Sequence, residues 1–247
     1  MAGHSKWANI KHRKGRQDAA RGKLFAKLAK AVEAAARQGG GDPTMNIALA
    51  NAIDKAKSNS MPNDNIERAI KRGTGESGDG VEFEEFWYEG YGPGGVAFYV
   101  HCLTDNRNRA SSDVRVAFTR HGGSLGEPGS VGYLFEQKGM IVAKGDEDEV
   151  MLTALDAGAE DVRESGDSYE VITAASDMPS VRQALKDAGL EVESAEVTQI
   201  PSNTIPVDAP GAEKVLRLID ALEDLDDVQD VYANFDADDE VMEQLAG

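Results

Sequence analysis

Residues 184–197, ALKDAGLEVESAEV, decide how this chain folds. An Ala-Leu pair ends a helical pattern, small and acidic residues turn the chain, and valines mark the strand that follows. The same order recurs at 154–162, ALDAGAEDV, and at 221–231, ALEDLDDVQDV. Recurrence of this kind means that one supersecondary unit is used more than once. Around it, residues 139–200 read β-α-β-α-β, close to the split β-α-β sandwich. The pieces on either side, 95–136 and 207–235, together supply a second unit of the same type, so the middle unit is inserted into the other.

Outward from this region the pattern changes. From about Arg16 to Arg37, Leu24, Leu28, Ala31, Val32 and Ala35 recur at helical spacing, and QGGGDP ends the element. Asp42 as cap, with Pro43 at the first position, predicts a second helix through Ile47, Ala50 and Ile53 to about Asn59. NDNIERAIKR predicts a third, stopped by Gly73. The polar, glycine-rich GTGESGDG at 73–80 is a linker. Beyond it, Val96, Phe98, Val100 and Cys102 alternate along a strand, a helix is expected from about Ser111 to Arg120, and Val131, Tyr133 and Phe135 alternate along another strand. The fold class is therefore α+β: an N-terminal three-helix domain followed by two ferredoxin-like α/β domains, one inserted in the other. The expected boundaries are 1–78 for the helical domain, 79–136 plus 205–247 for the discontinuous one, and 137–204 for the insert. The acidic end, DADDEVMEQLAG, is compatible with a short helix or a tail.

Charge is the most informative bulk property. The chain carries 44 acidic residues against 26 Lys and Arg, yet residues 1–37 hold ten Lys or Arg and two acids. Net charge is +8 over 1–37, +1 over 38–75 and −27 over 76–247. This asymmetry points to one end meeting a polyanion while the remainder stays soluble through self-repulsion. No apolar stretch of roughly 7 to 15 residues follows the basic start, so no secretory signal is expected, and no run approaches the ~20 apolar residues of a membrane helix. A cytosolic protein without membrane contact is the expectation. The single cysteine, Cys102, excludes an internal disulfide framework and reads as a core residue.

Catalytic and cofactor motifs fail their context tests. Gly73, Gly75, Gly78 and Gly90, Gly92, Gly95 both match G-x-G-x-x-G, but the first follows a helix and the second precedes a strand. A dinucleotide site needs the motif between a strand and a helix N-terminus. His4, His12, His101 and His121 show no ligand spacing, so neither metal nor cofactor is expected. Carboxylates occur in runs such as GDEDE, EDLDD and DADDE, which read as solvated faces or caps. No enzyme activity is expected.

The basic start passes the same test. Lys6, Lys11, Arg13, Lys14 and Arg16 surround Trp7 and His12. Lys and Arg neutralise phosphates, and aromatic rings stack on unpaired bases. At about 100° per residue, Arg16, Lys23, Lys27, Lys30 and Arg37 fall within roughly 80° of one another, while the apolar stripe centres about 140° away. Lys23, Lys27 and Lys30 are thus expected to extend the arm as an open basic face. TDNRNRASSDVR adds Arg107 and Arg109 beside a helix N-terminus, a secondary anion site.

MAGHSKWANIKHRKG at 1–15, TDNRNRASSDVRVAF at 104–118 and GGSLGEPGSVGYLF at 122–135 resemble the YebC family, nearly end to end. The family includes the mitochondrial translational activator of cytochrome c oxidase subunit I. The resemblance implies three domains and a DNA-binding transcriptional regulator. Other members of the family imply instead a ribosome-associated factor that binds ribosomal RNA and assists synthesis through proline-rich stretches.

Overall fold

The structure, a computed structural model, describes residues 18–76, 78 and 81–246. Residues 135–202 form one compact unit, and the chain on either side of them forms the other.

The flanking unit begins with α1 (Asp18–Gly39), α2 (Ile47–Ser58) and α3 (Asn63–Gly73). Their apolar stripes meet in a core of Leu28, Val32, Ala36, Leu49, Ile53, Ala56, Met61, Ile66 and Ala69. Gly73 sits where α3 closes on α1, and a Cβ there would fall 2.4 Å from the Glu33 carbonyl oxygen. The second helix starts at Ile47, not at Pro43. Asp42 instead folds a turn onto the Thr44 amide and hydroxyl, at 2.9 and 2.7 Å. Asn46 is the cap: its Oδ1 accepts from the Leu49 amide while its Nδ2 donates to the carbonyls of Ala35 and Gly40. One buried side chain thereby satisfies two helix ends, which Asp42, lacking a donor, cannot do.

The chain continues through β1 (Glu84–Tyr91), β2 (Ala97–Thr104), α4 (Arg107–Arg120) and β3 (Ser124–Leu125). Strand β1 is absent from the sequence reading. Helix α4 starts four residues earlier than expected because Asn106 caps it, accepting from the Arg109 amide. Val131, Tyr133 and Phe135 do not share a strand. Residues 132–134 form a 3-10 turn, and the amides of Gly129, Val131 and Gly132 donate to the Glu89 carboxylate at 2.6, 2.6 and 2.7 Å. Amides bonded to a side chain are lost to a ladder.

The inserted unit comprises β4 (Phe135–Lys144), α5 (Glu147–Asp156), β5 (Asp161–Ser165), β6 (Ser168–Ala174), α6 (Met178–Asp187) and β7 (Glu191–Pro201). Its antiparallel sheet has the order β5-β6-β4-β7, the arrangement of a ferredoxin-like β-α-β-β-α-β unit. Two strands, joined beyond the Ser165–Ser168 pair, stand where the sequence reading has one. Ile141, Ala143, Val150, Ala154, Val171, Val181 and Leu185 fill its core. Both helices end in the same way. Gly158 and Gly189 take positive φ, 103° and 83°, and the following amides of Ala159 and Leu190 return to the carbonyls of Ala154 and Leu185. These are Schellman ends, and they are what the repeated Asp-Ala-Gly encodes.

The flanking unit resumes with β8 (Ile205–Pro206), α7 (Ala209–Glu223), β9 (Val228–Ala233), β10 (Phe235–Asp236) and α8 (Asp239–Ala246). Its larger sheet has the order β3-β1-β2-β9 with antiparallel neighbours. This is again the ferredoxin-like order, but with a changed connection: the position of the strand that would follow β3 is taken by β1, which precedes β2. Phe98, Val100, Cys102, Phe118, Leu218, Leu222, Val231 and Phe235 form the core, and Met242 of α8 is buried in it, so the acidic end is a packed helix. The third copy of the repeat lacks its glycine; Asp224 stays right-handed at φ −76°, and residues 224–227, three of them acidic, make the turn.

Candidate nucleic-acid interface

Lys6, Trp7, Lys11, His12, Arg13, Lys14 and Arg16 lie outside the described residues. Helix α1 carries the basic face onward, and here the structure departs from the expected open surface. Lys23, Lys27 and Lys30 face the acidic turn after α7. Lys23 Nζ lies 2.5 Å from Asp224 Oδ1, and Lys27 Nζ donates to the Glu223 carbonyl at 2.5 Å. Lys30 Nζ donates to Asp227 Oδ1 and the Asp226 carbonyl, both at 3.1 Å, and sits 3.4 Å from the Leu103 carbonyl. From α2, Lys55 adds a 2.5 Å contact with Asp230.

The physical reason is the end of α7. The last carbonyls of a helix lack intrahelical donors and carry the negative end of the helix dipole. Here three carboxylates, Asp224, Asp226 and Asp227, add to that field. A row of lysines at i, i+4 and i+7 on one helix is a matching cap. The lysines respond differently to the contact: the hydrogen bond that Lys23 donates to Asp224 raises its pKa, whereas burial pushes Lys27 down against the pull of Glu223, Asp230 and Asp226.

Arg107 and Arg109 are separated by the same geometry. Arg109 makes a two-pronged contact with Asp227, Nη2 to Oδ2 at 2.8 Å and Nε to Oδ2 at 3.1 Å, and a second pair with Asp105 at 2.7 Å. Burial works against the Asp227 charge, but hydrogen bonds from Arg109, Lys30 and Thr104 hold its carboxyl below the usual range. The anion expected beside Arg109 is thus the chain's own Asp227. Arg107 is exposed, its guanidinium 5.2 Å from the centre of the Phe86 ring, and among the described residues it makes no ion pair.

One cluster escaped the sequence reading because β1 did. On the sheet face opposite α4 and α7, Trp87 stacks with Tyr99 and with His101, ring centres at 4.2 and 4.6 Å. His101 bridges Glu85 at 2.8 Å and Asp230 at 3.3 Å. Burial opposes its charge, yet these two carboxylates prevail and push the imidazole up to about 9. Lys55 and His101 together hold half-buried Asp230 well below the usual carboxylate range, although burial opposes its charge. Trp87 stacks on neighbours of its own sheet, and His101 is tied to two carboxylates, so the cluster is cross-linked within the fold. Its signal was the aromatic run FWY at 86–88.

Helices α2 and α3 are joined by four residues, a helix-turn-helix spacing. The exposed face of α3 carries Asp64 and Glu67 beside Arg68 and Lys71, a balance of zero. Such a face does not attract phosphates, and the positive charge lies elsewhere. Cys102 is fully buried, with its thiol pushed up to about 12 by burial and Asp227. Among the described residues no cluster of His, Cys, Asp and Glu could hold a metal, and no helix is long and apolar enough to cross a membrane.

Comparison with known proteins places these features in context. The family description "TACO1/YebC protein N-terminal domain" matches residues 5–76, and "TACO1/YebC second and third domain" matches residues 83–235. A protein of Beutenbergia cavernae named "Probable transcriptional regulatory protein" is 60% identical over 249 residues, covering 99% of each chain. One of the same name from Thermobifida fusca is 59% identical and covers 100% of both. The crystal structure of a conserved hypothetical protein, Aq1575, from Aquifex aeolicus superimposes with a TM-score of 0.79 at 47% identity, over 90% of this chain and 92% of that one.

Proposed function

Since the chain belongs to the TACO1/YebC family, we propose that it is a cytoplasmic, non-enzymatic regulator of gene expression that binds nucleic acid through its N-terminal arm, as a DNA-binding transcriptional regulator. The observation that carries this reading is the charge distribution: +8 within the first 37 residues of a chain whose net charge is −18. In this reading Lys6, Lys11, Arg13, Lys14 and Arg16 neutralise phosphates, while Trp7 and His12 stack on bases. The acidic α/β parts as a whole repel nucleic acid, so contact centres on the basic end. Arg107 is a further phosphate contact, since its charge is exposed and unpaired among the described residues.

A second reading, RNA on the ribosome, is favoured by one specific observation. The only four-residue helix-turn-helix spacing among the described residues presents a face of zero net charge, which suits a DNA groove poorly. An arm bearing Trp and His suits unpaired RNA, where stacking dominates recognition.

Binding measured over a salt series tests the common part. The log-log slope grows by about 0.7 to 0.9 per phosphate contact, so replacing Lys11, Arg13 and Lys14 by Ala should flatten it by about 2 to 3. An unchanged slope removes the arm from the interface. In-cell cross-linking with sequencing of both RNA and DNA separates the two readings: promoter peaks support transcription, and ribosomal RNA without promoter enrichment supports the ribosome.

A further inference from the structure

We infer that the contact between α1 and the acidic turn after α7 is a latch, in which the chain's own carboxylates occupy lysines that nucleic acid takes over when it binds. This rests on the proposed nucleic-acid reading and adds to it a regulation of the same surface. Four observations support it. The row Lys23, Lys27, Lys30 continues directly from the basic arm, and each of its ammonium groups meets an oxygen of residues 223–227. The helical core and the α/β core share no residue. Among the described residues, Lys23, Lys27, Lys30 and Lys55 all carry hydrogen bonds or ion pairs from the helical part to the α/β part. The outermost pair is open to solvent, with Lys23 50% and Asp224 73% exposed.

Exposed ion pairs of this kind are weak and screened by salt. A nucleic-acid backbone offers the same lysines more negative charge and releases counterions as it binds, which an acidic turn does not. An ammonium held by Asp224 cannot also hold a phosphate, so docking and full contact compete. By linkage, whatever weakens docking strengthens binding, and binding in turn loosens docking. The acidic turn therefore sets a threshold: a short or weakly charged strand meets the arm alone, while a long one also displaces residues 223–227 and frees the helical part.

The test uses the full chain with Asp224→Asn and Asp226→Asn together; both side chains are exposed, so the fold should be kept. The probes are a labelled single-stranded RNA and a labelled DNA duplex, titrated over a series of KCl concentrations. Affinity should rise about tenfold, and the salt slope should steepen by about 1 to 2 as Lys23 and Lys27 join the contact. Asp148→Asn with Asp156→Asn, exposed residues of the inserted unit, changes the net charge equally and should leave both quantities near wild type. A second readout is the distance between spin labels at Lys57→Cys of α2 and Lys214→Cys of α7, both exposed. Buried Cys102 will not take the label. The distance should lengthen when the probe is added. Normal binding with an unchanged distance, or an equal gain in the control pair, overturns the latch and leaves the arm reading standing. Failure of the wild-type chain to bind either probe overturns both.

Discussion

His101 shows how far the fold can move a single residue. Its two ring nitrogens face Asp230 and Glu85, so the protonated ring donates on both sides while stacking on Trp87. The imidazole rises from 6.5 to about 9 in the folded chain. A group whose pKa is raised by folding contributes stability fully below its unfolded value and loses it as pH rises through the folded one. The window is therefore pH 6.5 to 9, over which about 2–3 kcal/mol should disappear. Urea melts of wild type and His101→Gln over this range check it: the difference between them should shrink toward pH 9 and above, and the ring should titrate near 9 by NMR. A midpoint near 6.5 would mean that the bridge does not form in solution. None of this was legible at residue 101, because Glu85 lies 16 residues away and Asp230 129. The alternation that made Cys102 a core residue was legible, since burial of every second side chain is a local property of a strand.

At the scale of elements, turn chemistry carries the fold. Gly158 and Gly189 hold a left-handed conformation that a Cβ disfavours by about 1–2 kcal/mol per residue. Replacing either by Ala should lower the stability of the inserted unit by that amount, read as a lower urea midpoint with an unchanged slope. Gly73→Ala acts by another route. Its Cβ would press on the backbone of α1, so α3 must move away, and overpacking of this kind costs about 1–3 kcal/mol. This loss should appear in the helical part alone, by hydrogen exchange of α1 and α3. Helices and their glycine stops were legible because they depend on residues three or four apart. The start of α2 was not, because Asn46 is chosen by carbonyls of α1. Nor was β1, whose residues 86–89 are half-buried on both faces and so show no clean alternation.

At the scale of the molecule, the chain enters and leaves the inserted unit on neighbouring strands, with Phe135 paired to Pro201. A unit whose ends meet, and whose core is its own, should fold alone. Residues 135–202 expressed by themselves should melt cooperatively with dispersed amide resonances; a molten spectrum would show that they depend on the flanking unit. What the amino-acid sequence determined by itself is local: helix periodicity, the repeated helix-to-strand turn, and the net positive charge of the N-terminal end. The tertiary structure alone decided where that charge is used within the chain. Lys23 and Asp224 are separated by 201 residues, and no local pattern links them. Their pairing follows from the packing that brings the end of α7 against α1, where helix-end carbonyls and carboxylates meet a row of lysines.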